Sequence, residues 1–424
     1  MTAKSLGDDS GTIAHAARHS MPADDHYRVR PKGMYPFVDG LMHAELLPPR
    51  GQVELTMADR NYQTPYVGVT TDGTPQPGLY TLEDTGISHH HVVDAARTYL
   101  HALRPHLRTC SVLPVESDNW RRWTNAFPTW APKGVRLGGM AESERQAALD
   151  LVEASLSPEG FRAVRDGMRL NAALGEIVDD YNETLTEFSY WMTIFGQPSE
   201  TEPWGWQLMG HHIDVNCIFV GNQQVIAPVF LGAEPVVIDK GPYAGIHMFD
   251  PETARGLELR RSFDSAQATA AVLSPSILNA DLPEALNGPF NGRHLTGAGQ
   301  DNLVMPYEGV NAAELSVPQQ DLLMSLIDLY LLKWPAEHRT RKHAQVVKHL
   351  DDTHFAWRGQ HDDTAAFYYR VHSPVLSIEY DNHPGIFLDY DEPQRWHVHT
   401  IVREPNGNDY GKSLLSQHYA KHHS

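Results

Sequence analysis

The sequence predicts an α+β protein in which antiparallel strands pack with helical layers. Three observations predict it. Apolar residues recur at steps near 3.6 across residues 86–200, which makes that stretch helix-rich. Short runs rich in β-branched and aromatic residues, broken by glycine, fill 204–240 and 367–403. No short repeat of the kind that builds solenoids or propellers is visible, so the strands and helices belong to one layered α+β fold.

Taken in order, residues 1–35 lack periodicity and read as a flexible tail or a strap, leaving 36–424 as a single large domain. Tyr66 to Tyr80 predicts a hairpin: Val67 and Val69 lead in, Asp72-Gly73 supplies positive-φ turn chemistry, and Pro75 and Pro77 end the pairing. From His91 to Leu103 a helix places Val92, Ala95, Ala96, Tyr99 and Leu103 on one stripe. Ser143 with Gln146 predicts a capping box for a helix to Leu156, and Ser157-Pro158 starts the next, with Phe161, Val164, Met168, Leu174, Ile177 and Tyr181 inward. The period then shortens. Runs at His212–Val220, Val225–Leu231 and Pro235–Ile238, parted by Gly221-Asn222 and Gly232, predict an antiparallel meander from Trp204 onward. A helix over 251–273 follows. The stretch 288–302 holds Gly288, Gly292, Gly297 and Gly299 but lacks the Lys-Ser/Thr of a phosphate-binding loop, so it reads as a floppy connection. A helix over 318–334 and strands at 367–371, 375–380 and 395–402 complete the chain.

Composition narrows the function. Among 424 residues, 34 Lys+Arg stand against 53 Asp+Glu, a formal net charge of −19, which argues against a protein that tracks nucleic-acid phosphates. No apolar run reaches the roughly 18 residues of a membrane helix, so no membrane partner is expected. The polar stretch from Met1 to Asp25 lacks the apolar core of a signal peptide, so a cytoplasmic location is expected. Two cysteines, Cys110 and Cys217, cannot build a disulfide framework or a Cys-rich zinc ribbon and are expected as free thiols. The 25 histidines are the oddity. His89-His90-His91 opens a helix and His422-His423 sits at the terminus, so both read as solvated surface.

Chemistry concentrates in three segments. In Trp396-His397-Val398-His399, strand alternation sends both imidazoles to one side, as a shared cation requires, although two hydrogen-bonding histidines on a polar face give the same spacing. In Gly210-His211-His212-Ile213-Asp214-Val215-Asn216, alternation groups His212 with Asp214 and Asn216, leaving His211 as a neighbour unless a bulge redirects it. In Ser377-Ile378-Glu379-Tyr380-Asp381, carboxylates lie among apolar neighbours and need a partner, either a metal and histidine cluster or an arginine such as Arg370 or Arg403.

From about Thr71 to Tyr419 the chain resembles the bacterial and fungal family named domain of unknown function 3500. The resemblance rests on Pro77-Gly78-Leu79, Trp120-Arg121-Arg122-Trp123-Thr124-Asn125, the run from Glu202-Pro203-Trp204-Gly205-Trp206 to Gly210-His211-His212, Val304-Met305-Pro306-Tyr307-Glu308-Gly309, Phe355-Ala356-Trp357, Ile378-Glu379-Tyr380-Asp381-Asn382 and His397-Val398-His399. The family pattern places Trp and Asp where this chain has Val402 and Glu404, and more usually Ser where it has Asp214. What the resemblance implies is a metal set of His211, His212, Glu379, His397 and His399.

The expected protein is therefore a metal-dependent enzyme that cleaves a small organic molecule by hydrolysis or a lyase-type reaction. It would use one divalent ion, with zinc, iron(II), manganese and copper all compatible and no nucleotide cofactor. Glu379, Arg122 and Arg403 are the candidate catalytic residues, the arginines holding a substrate carboxylate. Trp120, Trp123, Trp204, Trp206 and Asn216 are the candidate substrate-binding residues. An iron(II) oxygenase using His212, Asp214 and His399 is one alternative, and a non-catalytic, metal-free binding or scaffold protein is another; a homo-oligomer is compatible with either. No Gly-x-Ser-x-Gly or His-Glu-x-x-His motif occurs, which sets aside serine-hydrolase and thermolysin-like readings.

Overall fold

The computed structural model describes residues 28–30, 37–38, 41–42, 59–127, 132–179, 181, 183–287 and 293–422. The α+β class holds. Among the described residues, eight long strands form the body of a twelve-stranded, mostly antiparallel sheet. They are β1 (Tyr190–Phe195), β2 (Trp204–Gly210), β3 (Ile213–Val220), β4 (Gln223–Ala233), β5 (His354–Gly359), β6 (Phe367–His372), β7 (Ser377–His383) and β8 (Gln394–Arg403). Short strands at Val112–Leu113, Val135–Arg136, Val272–Ser274 and Val310–Asn311 pair along its outer strands.

The order is β5-β6-β7-β8-β4-β3-β2-β1, so two four-stranded meanders meet where β8 pairs with β4. Each meander is preceded by the same plan. A two-residue strand leads through a 3-10 turn into a capped helix, then a second helix: Val135–Arg136, α3 (Glu142–Ser155) and α4 (Pro158–Val178) in one half, Val310–Asn311, α7 (Val317–Leu331) and α8 (Ala336–Lys348) in the other. Gly134 and Gly309, both at positive φ, start the two units, and a Cβ on either would lie 2.1 Å from a strand carbonyl, Met192 O or Phe355 O. Even the caps correspond, since Glu144 accepts from Ala141 N–H and Gln319 from Ser316 N–H. This long recurrence escapes a search for short repeats.

The other helices are α1 (His90–Ala102), α2 (Pro105–Ser111), α5 (Asp250–Arg261), α6 (Ser265–Ala271) and α9 (Lys412–His422). α3 packs under the sheet where Trp206 donates to Ser155, on the face formed with Leu208, Val215 and Cys217. The opposite face carries a buried polar stripe including Gln207, Asn216, Asp214, His399, Asp381, Glu379 and Arg403. Loops and a 3-10 turn rather than α-helices cover it: Trp120 O accepts from Gln207, Thr296 binds Glu379, and Asp301 binds Arg403.

Several expectations change. Tyr66–Tyr80 is not a hairpin; its Asp72 accepts from Thr74 N–H in a turn, and Thr70 bridges to Val304 instead. The capping box sits at Glu144 rather than Ser143 and Gln146, whereas Ser157 caps α4 through Gly160 N–H. The helix expected over 251–273 breaks after Arg261, because Asp264 accepts from Ala266 and Gln267 N–H and starts α6. Pro235–Ile238 is not a strand of the meander; only Val237 pairs, in an isolated bridge to His247. His89 is buried against His338, 2.8 Å away, while His90 and His91 are exposed. Most of the expected tail, with Gly288, Gly292 and His423, lies outside the described residues, although Val29 bridges Leu388.

Among the described residues no helix is long and apolar enough to cross a membrane. Both cysteines are free, Cys110 exposed and Cys217 buried, with burial pushing the Cys217 thiol up to about 12. A thiol reagent is therefore expected to label one cysteine rapidly in native protein and two after unfolding. Two rapid labels without denaturant would contradict the burial of Cys217.

Candidate metal centre

The centre lies on the seam between the meanders. Antiparallel register sets His399 of β8 opposite Gly232 of β4 on one side and Asp381 of β7 on the other. His397, two residues away, shares the face of His399. His212 enters from the turn joining β2 to β3 with φ of 63°, its N–H donating to Asn125 O at 3.0 Å and its carbonyl accepting from Gly232 N–H at 2.7 Å. This turn, not strand alternation, aims its ring.

Three imidazoles converge. His212 Nε2 lies 3.1 Å from His397 Nε2, which lies 3.1 Å from His399 Nε2. Zinc–nitrogen bonds of about 2.0–2.1 Å in a tetrahedron separate the nitrogens by about 3.3 Å, so the spacing suits a shared ion. His397 Nδ1 lies 2.7 Å from Pro384 O, a carbonyl that can only accept. That bond puts the proton on Nδ1 and leaves Nε2 with a lone pair facing the other two rings. Burial lowers the pKa of all three, His397 to about 3 and His212 and His399 well below the usual value, so the rings are neutral, as ligands must be.

A second group adjoins the first. His294 Nδ1 is 3.0 Å from Asp381 Oδ1, which is 3.7 Å from His399 Nδ1. Among the described residues, the triads His212, His397, His399 and His294, Asp381, His399 each present ligand atoms within 4.8 Å of one another. The rings of His383 and His399 are 4.6 Å apart. Among the described residues, Nδ1 of His399, Nδ1 of His383 and Nε2 of His294 are buried and find no hydrogen-bond partner. Phe230 forms an apolar wall, 5.1 Å from His399 and 5.8 Å from His294 between ring centres.

The other proposed site residues fall elsewhere. His211 Nδ1 donates to Asn171 Oδ1, 2.8 Å away, and its ring stacks on His212 at 3.9 Å, so it lies behind that ring. Glu379 has its carboxylate filled by Leu295 and Thr296 N–H, the Thr296 hydroxyl and Tyr368 OH. Burial acts to raise its pKa, but His294, Arg370 and these bonds outweigh it and hold the group below the ordinary range. Asp381, two residues along the same face, is the carboxylate that faces His294 at 3.0 Å and His399 at 3.7 Å. Asp214 is buried beside Asn216, is pushed well upward by burial, and belongs to neither triad.

Arg403 spends its donors on Thr296 O, Gly297 O, Asp301 and Asp409, which makes it a pin for the 293–302 loop. Arg122 is 40% exposed, beside Asp59 and over the Tyr62 ring; its neighbour Arg121 is the buried one, bound to Asp301. Trp204 and Trp206 occupy the helix-covered face, away from the histidines. Trp120 donates to Val115 O and stacks on Phe195. Trp123 lies 6.2 Å from Phe230 between ring centres. Asn216 is satisfied by Asp214, Pro228 O and Gln207. The segment read as floppy supplies His294; its signal was a histidine and a threonine beside glycines, too weak to place without β7.

Gly232 admits the His399 ring. A Cβ there would lie 2.9 Å from His399 Cδ2 and 2.9 Å from Val398 O. Gly232→Ala is expected to lower metal affinity by at least tenfold while the chain stays folded, as read by metal titration and circular dichroism. An unchanged affinity would show that His399 tolerates displacement.

Comparison with curated proteins and with solved structures returns no match. Residues 85–412 match the family described as Protein of unknown function (DUF3500), and with most of its length covered the chain belongs to that family.

Proposed function

We propose that the protein is a metal-dependent enzyme acting on a small organic molecule by hydrolysis or lyase-type cleavage, with a divalent ion held by His212, His397 and His399. One observation carries this reading. His397 has a single lone pair at Nε2 once Nδ1 donates to Pro384 O, yet two other ring nitrogens approach it at 3.1 Å. Two N–H donors cannot both align on one lone pair, whereas three lone pairs around a cation need no shared proton. Three protein ligands would leave room for a water or substrate atom on the ion, whose charge would polarise a carbonyl or lower the pKa of water.

The chain's own groups orient the ligands. Pro384 O fixes the His397 tautomer, Asn171 and His211 back His212, and Asp381 faces both His399 and His294. Phe230 and Trp123 supply apolar surface beside the centre. A second reading has a specific support: His294, His399 and Asp381 form a two-His-one-carboxylate set, the donor type of iron(II) oxygenases, with Asp381 in the role the sequence suggested for Asp214.

The test is metal analysis of protein purified without a histidine tag, followed by turnover of ester, amide and carbon–oxygen lyase substrates before and after chelation. At least one equivalent of divalent ion and activity abolished by chelation are expected. Protein that binds no divalent ion on titration would leave the scaffold reading instead.

A further inference from the structure

We infer that the centre is built for two divalent ions bridged by the imidazole ring of His399. The inference rests on the proposed metal centre and extends it. His399 belongs to both triads, and it uses a different nitrogen in each: Nε2 faces His397 Nε2 at 3.1 Å, and Nδ1 faces Asp381 Oδ1 at 3.7 Å. The second triad is completed by His294, whose Nδ1 is 3.0 Å from the same Asp381 oxygen.

An orienting role for Asp381 alone accounts for less of this geometry. A carboxylate that merely fixes the His399 tautomer would accept its Nδ1–H at about 2.7–3.2 Å. Here the gap is 3.7 Å, and Nδ1 is left buried with no hydrogen-bond partner among the described residues. Separations of 3.0 and 3.7 Å bracket the spacing of donors that share a cation with bonds of about 2.0–2.2 Å. His294, Asp381 and His399 are all buried. Asp381 also draws Arg293 N–H to its other oxygen at 3.4 Å, leaving Oδ1 to face the two rings.

The ligand classes of the two positions differ. The first is nitrogen only and suits zinc or copper, while the second contains a carboxylate and accepts zinc, iron(II) or manganese as well. Bridging requires His399 to lose its remaining ring N–H. Filling the second position therefore releases that proton to solvent, and no electron is transferred.

The experiment uses tag-free, full-length protein stripped with a chelator and titrated with zinc, then separately with copper(II). Two zinc ions per chain are expected for the native sequence, and one for Asp381→Asn and for His294→Ala, with circular dichroism showing both variants folded. The two-copper form is expected to show a magnetically coupled, weakened electron paramagnetic resonance signal, and the one-copper His294→Ala form an uncoupled signal. A native stoichiometry of one ion, unchanged in Asp381→Asn, would overturn the second position and leave the single-ion reading intact. Two coppers with fully uncoupled signals would overturn the bridge, and no bound ion at all would overturn both readings. Because the native protein's stoichiometry and signal decide the matter, a variant that fails to fold does not.

Discussion

Replacing His397 and His399 together by alanine is expected to abolish tight binding of divalent ions at the seam. The pair contributes two of the three converging Nε2 atoms of the first triad, and His399 is also common to the second. Changes to outer-shell partners alone typically weaken a metal site by about 10–100-fold, so removing two direct donors should exceed about 100-fold. A stability signature follows. An ion that binds only the folded chain adds about 2.7 kcal/mol at one hundred times its Kd, so chelation should lower the melting temperature of the native protein and leave the double variant unmoved. Equal metal content in the two proteins would refute the site. The same shift on chelation in both would place the ion elsewhere.

The largest expected effect on folding comes from Arg403→Leu. Arg403 is buried and joins Asp301 at 2.7 Å and Asp409 at 3.0 Å, and Arg121 reaches Asp301 from the other side at 3.0 Å. Tyr410 OH adds a bond to Asp301 and receives one from Trp123. Removing one partner from a buried ionic group leaves uncompensated charge and costs about 3–5 kcal/mol. Arg122→Leu, at a half-exposed side chain beside Asp59, should stay within about 0.5 kcal/mol. Urea unfolding of the two variants separates them. Similar losses would mean that the Asp301 cluster does not carry the loop. Because Arg403 also bonds to Thr296 O and Gly297 O, its loss should loosen His294 and weaken the carboxylate-bearing triad more than the all-nitrogen one.

These two experiments touch different levels of legibility. His397 and His399 could be paired from the sequence because a strand repeats every two residues, a relation wholly local to the chain. His212 could be suspected but not aimed, since its positive φ belongs to a turn closed by Asn125 O and Gly232 N–H. Glu379 and Asp381 lie on one face of one strand, so only the register with β8, which sets Asp381 beside His399, chooses between them. Arg121 and Arg122 look equivalent in sequence; the 3-10 turn at Asp118–Arg121 buries one and exposes the other.

By itself, then, the sequence determined the α+β class, the start of α4 at Ser157-Pro158, the last two strands and the family, because these depend on short-range periodicity, capping and contiguous motifs. The tertiary structure alone decided that two meanders join at β4 and β8, that Trp204 and Trp206 face the helices, and that a glycine-bearing loop delivers His294 to Asp381. The physical reason is range. Local propensity fixes which residues can form an element, but a buried imidazole or carboxylate is satisfied by groups distant in sequence, and those meet only once strand register has been set.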